Sequence, residues 1–227
     1  MQKKIIALAI ASAMTVPALA YAEATVYGQV NLSIDMVDDG AVAPASSNSA
    51  NQLNSNTSRL GLKGSEDLGG GLSAVWQLEG VLGPDTGTSS LFNRNNFLGL
   101  KSADMGTVAL GRIDTAYKSA TGRLDVFGDG IADYRGSQVN GATAASPFGA
   151  AMMGLGHNAR VSNALNYTSP SFSGMTVAAS TVFGAEGTPT VPTANKKGSL
   201  ISLAGAYEQG PIYATLAYQT MKAGDAG

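Results

Sequence analysis

Val26-Tyr27-Gly28-Gln29-Val30-Asn31-Leu32-Ser33-Ile34-Asp35 is the stretch from which the rest of the chain is read. Val26, Gly28, Val30, Leu32 and Ile34 share one parity; Tyr27, Gln29, Asn31, Ser33 and Asp35 share the other. Successive strand side chains point to opposite faces, so the stretch predicts a strand with one apolar and one polar face. Its length matches the roughly 9–11 residues that a tilted strand needs to cross a bilayer.

The alternation recurs downstream. Leu60 and Leu62 oppose Arg59, Gly61 and Lys63, and Ala74, Trp76 and Leu78 oppose Ser73, Val75, Gln77 and Glu79. Leu98 and Leu100 oppose Asn95, Gly99 and Lys101, while Val108 and Leu110 oppose Thr107, Ala109 and Gly111. Four further apolar faces are Leu165/Tyr167, Val177/Ala179/Phe183, Ile201/Leu203/Tyr207 and Ile212/Ala214/Leu216/Tyr218. About nine strands result. Their connections alternate too. Glu66–Gly71, Ser102–Gly106, Ser169–Gly174 and Glu208–Gly210 are short; Asp38–Asn56, Gly83–Arg94, Ile113–Arg160 and Gly184–Gly198 are long and polar. Short turns on one side and long loops on the other predict an all-β, transmembrane antiparallel barrel of the outer membrane.

Composition agrees. Charged residues make up 13% of the chain, against about 25% in soluble domains, yet no apolar run after residue 22 is long enough to span as a helix. Lys3 and Lys4, the apolar stretch Ile5–Val16 and the small-x-small motif Ala20-Tyr21-Ala22 predict a signal peptide over residues 1–22, cleaved after Ala22. The remaining domain, residues 23–227, is mildly acidic, which gives nucleic acid no surface to bind. There is no cysteine, so thiolate chemistry, disulfides and cysteine metal sites are excluded.

Catalysis finds little support. His157 is the sole histidine, no GxSxG elbow exists, and Gly69-Gly70-Gly71 lacks the lysine and helix of a phosphate cradle. The acidic run Asp125–Asp133 has Phe127 where an EF-hand ligand belongs. No cofactor is expected. A secreted all-β adhesin is the rival reading, but it requires polar outer faces. Here those faces carry Leu, Val, Ile and aromatic residues. Trp76 is read as a lipid or subunit contact, and Tyr167, Phe183, Tyr207 and Tyr218 as residues of the interfacial girdle.

Several stretches resemble a known family. Ser58-Arg59-Leu60-Gly61-Leu62-Lys63-Gly64-Ser65-Glu66-Asp67-Leu68-Gly69-Gly70-Gly71-Leu72 is the most specific; Leu91-Phe92-Asn93-Arg94 through Gly99-Leu100, Gly106–Arg112 and Asn166–Gly174 follow in order. Together they resemble the Gram-negative general porins, especially the betaproteobacterial branch. The resemblance implies a 16-stranded barrel, a homotrimer in outer-membrane lipid, and passive diffusion of ions and small hydrophilic solutes. It also implies a third loop folded into the lumen. Ile113–Arg160 holds that position, and Asp125-Val126-Phe127-Gly128 is similar to the family's Asp-x-Phe-Gly element.

Family members that prefer anions carry an arginine cluster on the wall. Arg59 and Arg160 match two of its positions; the third is Asn95, preceded by Arg94. That departure leaves the sign of selectivity open. Lys63 and Lys101 share the inward parity, whereas Arg112 shares parity with Val108 and Leu110 and is expected at the strand end. Asp114, Asp125, Asp129 and Asp133 are expected to form the opposing acidic side on the loop. Nine strands is an odd number, and Lys222–Gly227 reads like the start of a loop. A portion of a longer barrel is therefore expected, with a short closed barrel as the alternative.

Overall fold

The computed structural model describes residues 23–38, 49–130, 133, 160–183 and 199–222. The expected signal peptide with its cleavage point after Ala22, and His157, lie outside the described residues. The strands are β1 (Glu23–Gln29), β2 (Leu32–Asp38), β3 (Ser49–Ser55), β4 (Arg59–Gly69), β5 (Leu72–Gly83) and β6 (Thr88–Ser90). They continue as β7 (Asn96–Ser102), β8 (Gly106–Asp114), β9 (Arg160–Thr168), β10 (Met175–Val182), β11 (Ser199–Gln209) and β12 (Ile212–Lys222). Between β8 and β9 lie the helix α1 (Ala116–Thr121) and a 3-10 turn, Gly122–Leu124.

One antiparallel sheet runs β1-β4-β5-β7-β8-β9-β10-β11-β12, with β6 beside β5; β2 and β3 form a separate pair. The nine-strand path reproduces the nine expected strands. Register carries the alternation across the whole sheet. Ala74, Leu100, Val108, Tyr167, Ala179, Leu203 and Tyr218 are successive cross-strand partners from β5 to β12 and make one apolar row. The row Ser65, Val75, Gly99, Ala109, Asn166, Ser180, Ser202 and Gln219 lies on the opposite face. A one-residue slip would exchange the two faces, so the register is tightly specified.

The large apolar side chains are outside. Val26 is 69% exposed, Leu98 62% and Leu216 83%, whereas most of the buried apolar residues are alanines. A surface with this much exposed Leu, Val and Ile is suited to hydrocarbon, as on the outer wall of a membrane barrel. The tight β4–β5 turn uses Gly69, Gly70 and Gly71 at φ of 82°, 63° and 77°, a region that L side chains rarely enter.

The other face is concave. Tyr117 on α1 is bonded to Ser202 of β11, while Asp129 is bonded to Gln29 of β1 and Arg59 of β4. In a flat sheet β11 and β1 would stand roughly 34 Å apart. The partly helical chain from Tyr117 to Asp129 reaches at most about 30 Å. Side chains and their hydrogen bonds at both ends close the remainder, so the segment bridges this face from β11 to β1.

Four sequence expectations need correction. The first strand is not continuous over Val26–Asp35: it breaks after Gln29 and resumes at Leu32. At the break the Ser58 hydroxyl accepts the Asn31 N–H at 2.9 Å and donates at 3.2 Å to the Asn31 carbonyl, which also accepts the Asn56 N–H at 2.8 Å. Thr57 beside it turns left-handed at φ 51°. Secondly, the loop expected over Asp38–Asn56 contains β3, whose polar run Ser-Ala-Asn-Gln-Leu-Asn-Ser hides its alternation, although Leu53 pairs with Ile34. Thirdly, the loop expected over Gly83–Arg94 contains the short strand β6. Finally, Ile113 and Asp114 belong to β8, so the long connection starts at Thr115.

Candidate constriction site

Three groups of side chains meet on the concave face. In the first, Asp114 ends β8 directly opposite Arg160, which opens β9. Arg160 Nε lies 3.0 Å from Asp114 Oδ1, and Arg160 Nη2 donates to Oδ2 at 3.1 Å. Lys118 of α1, one helical turn on, sets its Nζ 2.9 Å from the same carboxylate. Asn95 supports both partners: its Oδ1 accepts from Arg160 Nε at 2.9 Å and from the Asp114 N–H at 3.0 Å. Beside this group, Arg94 is ion-paired through Nε to Glu79, whose side chain is only 7% exposed. Glu79 also accepts from the Tyr27 hydroxyl at 2.8 Å, and Tyr27 in turn accepts from Gln77 at 2.7 Å. Buried carboxylates are tolerated when their lone pairs are filled in this way.

The second group holds the far end of the crossing segment. Asp129 sits in a left-handed conformation at φ 59° and accepts from Arg59 Nη1 at 2.9 Å and from Gln29 Nε2 at 3.4 Å. Its carbonyl accepts from Asn31 Nδ2 at 2.8 Å, and its N–H donates to Asp133 Oδ2 at 2.9 Å. Asn31 is the residue at which the first strand breaks, so the interruption supplies the amide that meets the segment. The hydroxyl end of the Tyr27 ring packs against Gly61, where a Cβ would stand 2.4 Å from the ring.

The third group docks α1 on β10–β12. A short helix leaves its first N–H groups without intrahelical partners. Here Ala116 N–H donates to Ser180 Oγ at 2.8 Å, Tyr117 N–H to Ser202 Oγ at 2.9 Å, and Lys118 N–H to the N-cap hydroxyl of Thr115 at 3.3 Å. Ala116 and Ala120 sit against Ala204, with Ala178 and Ala217 alongside. At the other end the Tyr213 hydroxyl donates to the Ala120 carbonyl at 2.7 Å. Arg123 stacks over the Tyr213 ring at 4.3 Å and pairs with Glu208 through both terminal nitrogens. That hydrogen-bonded carboxylate raises the Arg123 guanidinium above its ordinary pKa.

Of the residues singled out from sequence, Arg94, Asn95, Arg160 and Asp114 come together, and Arg59 meets Asp129, which is bonded to Asp133. Asp114 stands on the wall itself at the end of β8, paired with Arg160 and Lys118, and not on the loop across from the wall cations. Lys63 lies over the Tyr27 ring at 5.3 Å. Arg112 stands apart, donating to the Asn93 carbonyl at 2.9 Å and to Ser162 Oγ at 3.0 Å. Lys101 is exposed on β7, next to the short turn into β8. The Asp125 carboxylate accepts the Phe127 N–H at 3.0 Å and belongs to a local turn. Among the described residues no three acidic or imidazole side chains gather as a metal site. Sequence reading missed Glu79, Lys118, Ser180 and Ser202 as site residues. Glu79 had a signal, since it is a carboxylate on the inward parity of a spanning strand.

Comparison with known proteins agrees with this fold. The chain matches the model of the Gram-negative porin family over residues 7–226. It is similar to outer membrane porin protein 32 of Delftia acidovorans, with 34% identity over 227 residues, 98% of this chain and 60% of that one. An outer membrane porin protein of Bordetella pertussis is 32% identical over 194 residues, 77% of this chain and 46% of that one. Among solved structures, the anion-selective porin from Comamonas acidovorans superposes with a TM-score of 0.66 at 27% identity, covering 90% of this chain and 59% of that one. This chain thus spans 60% or less of the length of these relatives. The relatives are porins, which are channels rather than enzymes. The chain belongs to the Gram-negative porin family, in its betaproteobacterial type, and is a protein of the outer membrane.

Proposed function

We propose that the complete protein, as a homotrimer in outer-membrane lipid, forms a water-filled channel for passive diffusion of ions and small hydrophilic solutes. The observation that carries this reading is the two-faced curled sheet: hydrocarbon-compatible outside, charged and hydroxylated inside, with Thr115–Asp129 crossing the concave face. A crossing segment narrows the path and brings solutes within reach of fixed charges.

Selectivity in this reading comes from the wall cations and the crossing segment together. Arg94, Lys118 and Arg160 are three cations held with two carboxylates, Glu79 and Asp114. One positive charge is in excess there. Arg59 is matched by Asp129, and Asp133 adds a negative charge beside it. Together the two groups hold four cations and four carboxylates, so the balance supports at most a weak preference, which the local positive excess around Arg94, Lys118 and Arg160 turns towards anions. The anion selectivity named for the Comamonas relative supports the same sign. Reversal potentials across a salt gradient test it. A mild anion preference that falls in Arg160→Ala is expected; a cation preference unmoved by Arg59→Ala and Arg160→Ala would overturn the wall assignment.

A further inference from the structure

We infer that Ser180, Ser202 and Tyr213 are positioning residues that fix how far α1 stands from the wall, and thereby set the width of the path and the place of Lys118. The inference rests on the channel reading above.

The inner face of β10–β12 is built to receive a helix. Ser180 and Ser202 are cross-strand partners, and each is almost fully buried, at 5% and 0% exposure. Each hydroxyl accepts one otherwise unsatisfied N–H of the helix's first turn. The next inward level along the same strands is Ala178, Ala204 and Ala217, again in direct register. An alanine row lets a helix approach closely; any longer side chain at that level would hold it off. Tyr213 fixes the opposite end through the Ala120 carbonyl.

The first intrahelical bond runs from Ser119 N–H to the Thr115 carbonyl at 2.9 Å. Every N–H of α1 before it is therefore taken by a hydroxyl, two of them on the wall. With both ends bonded, rotation and translation of α1 are determined by the wall and not by the loop alone. Lys118 lies in this helix, so its contact with Asp114 depends on the seat. Moving α1 by the width of a methyl group shifts a charge as well as the bore.

Single-channel recording of protein purified from outer membranes tests this, with heat-modifiable migration in detergent gels as the measure of folding. Ala204→Leu places bulk under α1. Ala179→Leu adds the same bulk on the outer face of β10 and serves as its control. Ala204→Leu is expected to lower conductance by a factor on the order of two and to shift the reversal potential, while Ala179→Leu matches the parent. The Ser180→Ala/Ser202→Ala pair adds no bulk and is expected to raise open-channel noise and shift the reversal potential with folding unchanged. Should Ala204→Leu fail to fold, this pair decides. Folded variants that conduct and discriminate ions like the parent overturn the inference. A parent that folds and conducts nothing overturns the channel reading, and this inference with it.

Discussion

The inner face has two walls of opposite character on one sheet. From β1 to β9 it carries Arg59, Glu79, Asp114 and Arg160; from β10 to β12 it carries Ser180, Ser202, Ala178, Ala204 and Ala217. Both follow the same period-two pattern, and both present their apolar partners to the outside. The difference lies only in what stands at the inward positions. Charged, hydrogen-bonded residues keep the first wall open to water and give it a field. Small residues surrender the space beside the second wall to α1. Alternation therefore makes a barrel wall, while side-chain size and charge decide which part is surface and which part is seat.

The largest effect is expected at Glu79. Glu79→Ala leaves Arg94 partly buried without its partner and removes the acceptor of Tyr27, at a cost of roughly 3–5 kcal/mol. A lower temperature of the heat-modifiable transition in detergent gels checks it. If Glu79→Ala melts like the parent, the charged wall is not organised around that carboxylate. Next comes Arg160→Ala, which leaves Asp114 with Lys118 and Asn95. Reversal potentials are expected to move towards cations, and an unmoved value would separate this cluster from selectivity.

Asp129→Asn should have a smaller effect. Its pair with Arg59 is about a quarter exposed, so the loss is about 1 kcal/mol. Freed of its countercharge, Arg59 should raise anion preference, most visibly at low salt. A shift in the opposite direction would mean that Asp129 does not oppose Arg59. The smallest effect is expected for Arg123→Ala, because its pair with Glu208 is exposed on both sides. Folding and reversal potential should match the parent. A large change would make the docking of α1 depend on that ion pair rather than on hydroxyls and alanines.

The outward faces, the glycine turn and the nine-strand path were legible because alternation and turn chemistry are local. The charged wall was half legible. Arg59, Asn95 and Arg160 stood out by resemblance, yet nothing local told that Asp114 would bond to Arg160, since their contact depends on the register of β8 against β9 across 46 residues. β3 stayed hidden because its residues are polar on both parities. The seat of α1 stayed hidden for another reason: serine and alanine are too common on strands to signal anything until register aligns them.

The account's central claim is that one parity of each strand faces a conducting path and the other faces lipid. Residues 1–227 contain no cysteine, so a thiol introduced among them has no native competitor there. Single cysteines are placed at Lys63 and at its neighbour Leu62 on β4, and single-channel current is recorded while a charged, water-soluble thiol reagent is added. The account predicts a stepwise change in current for Lys63→Cys and none for Leu62→Cys. Equal responses at both positions, or a response only at Leu62→Cys, would contradict it.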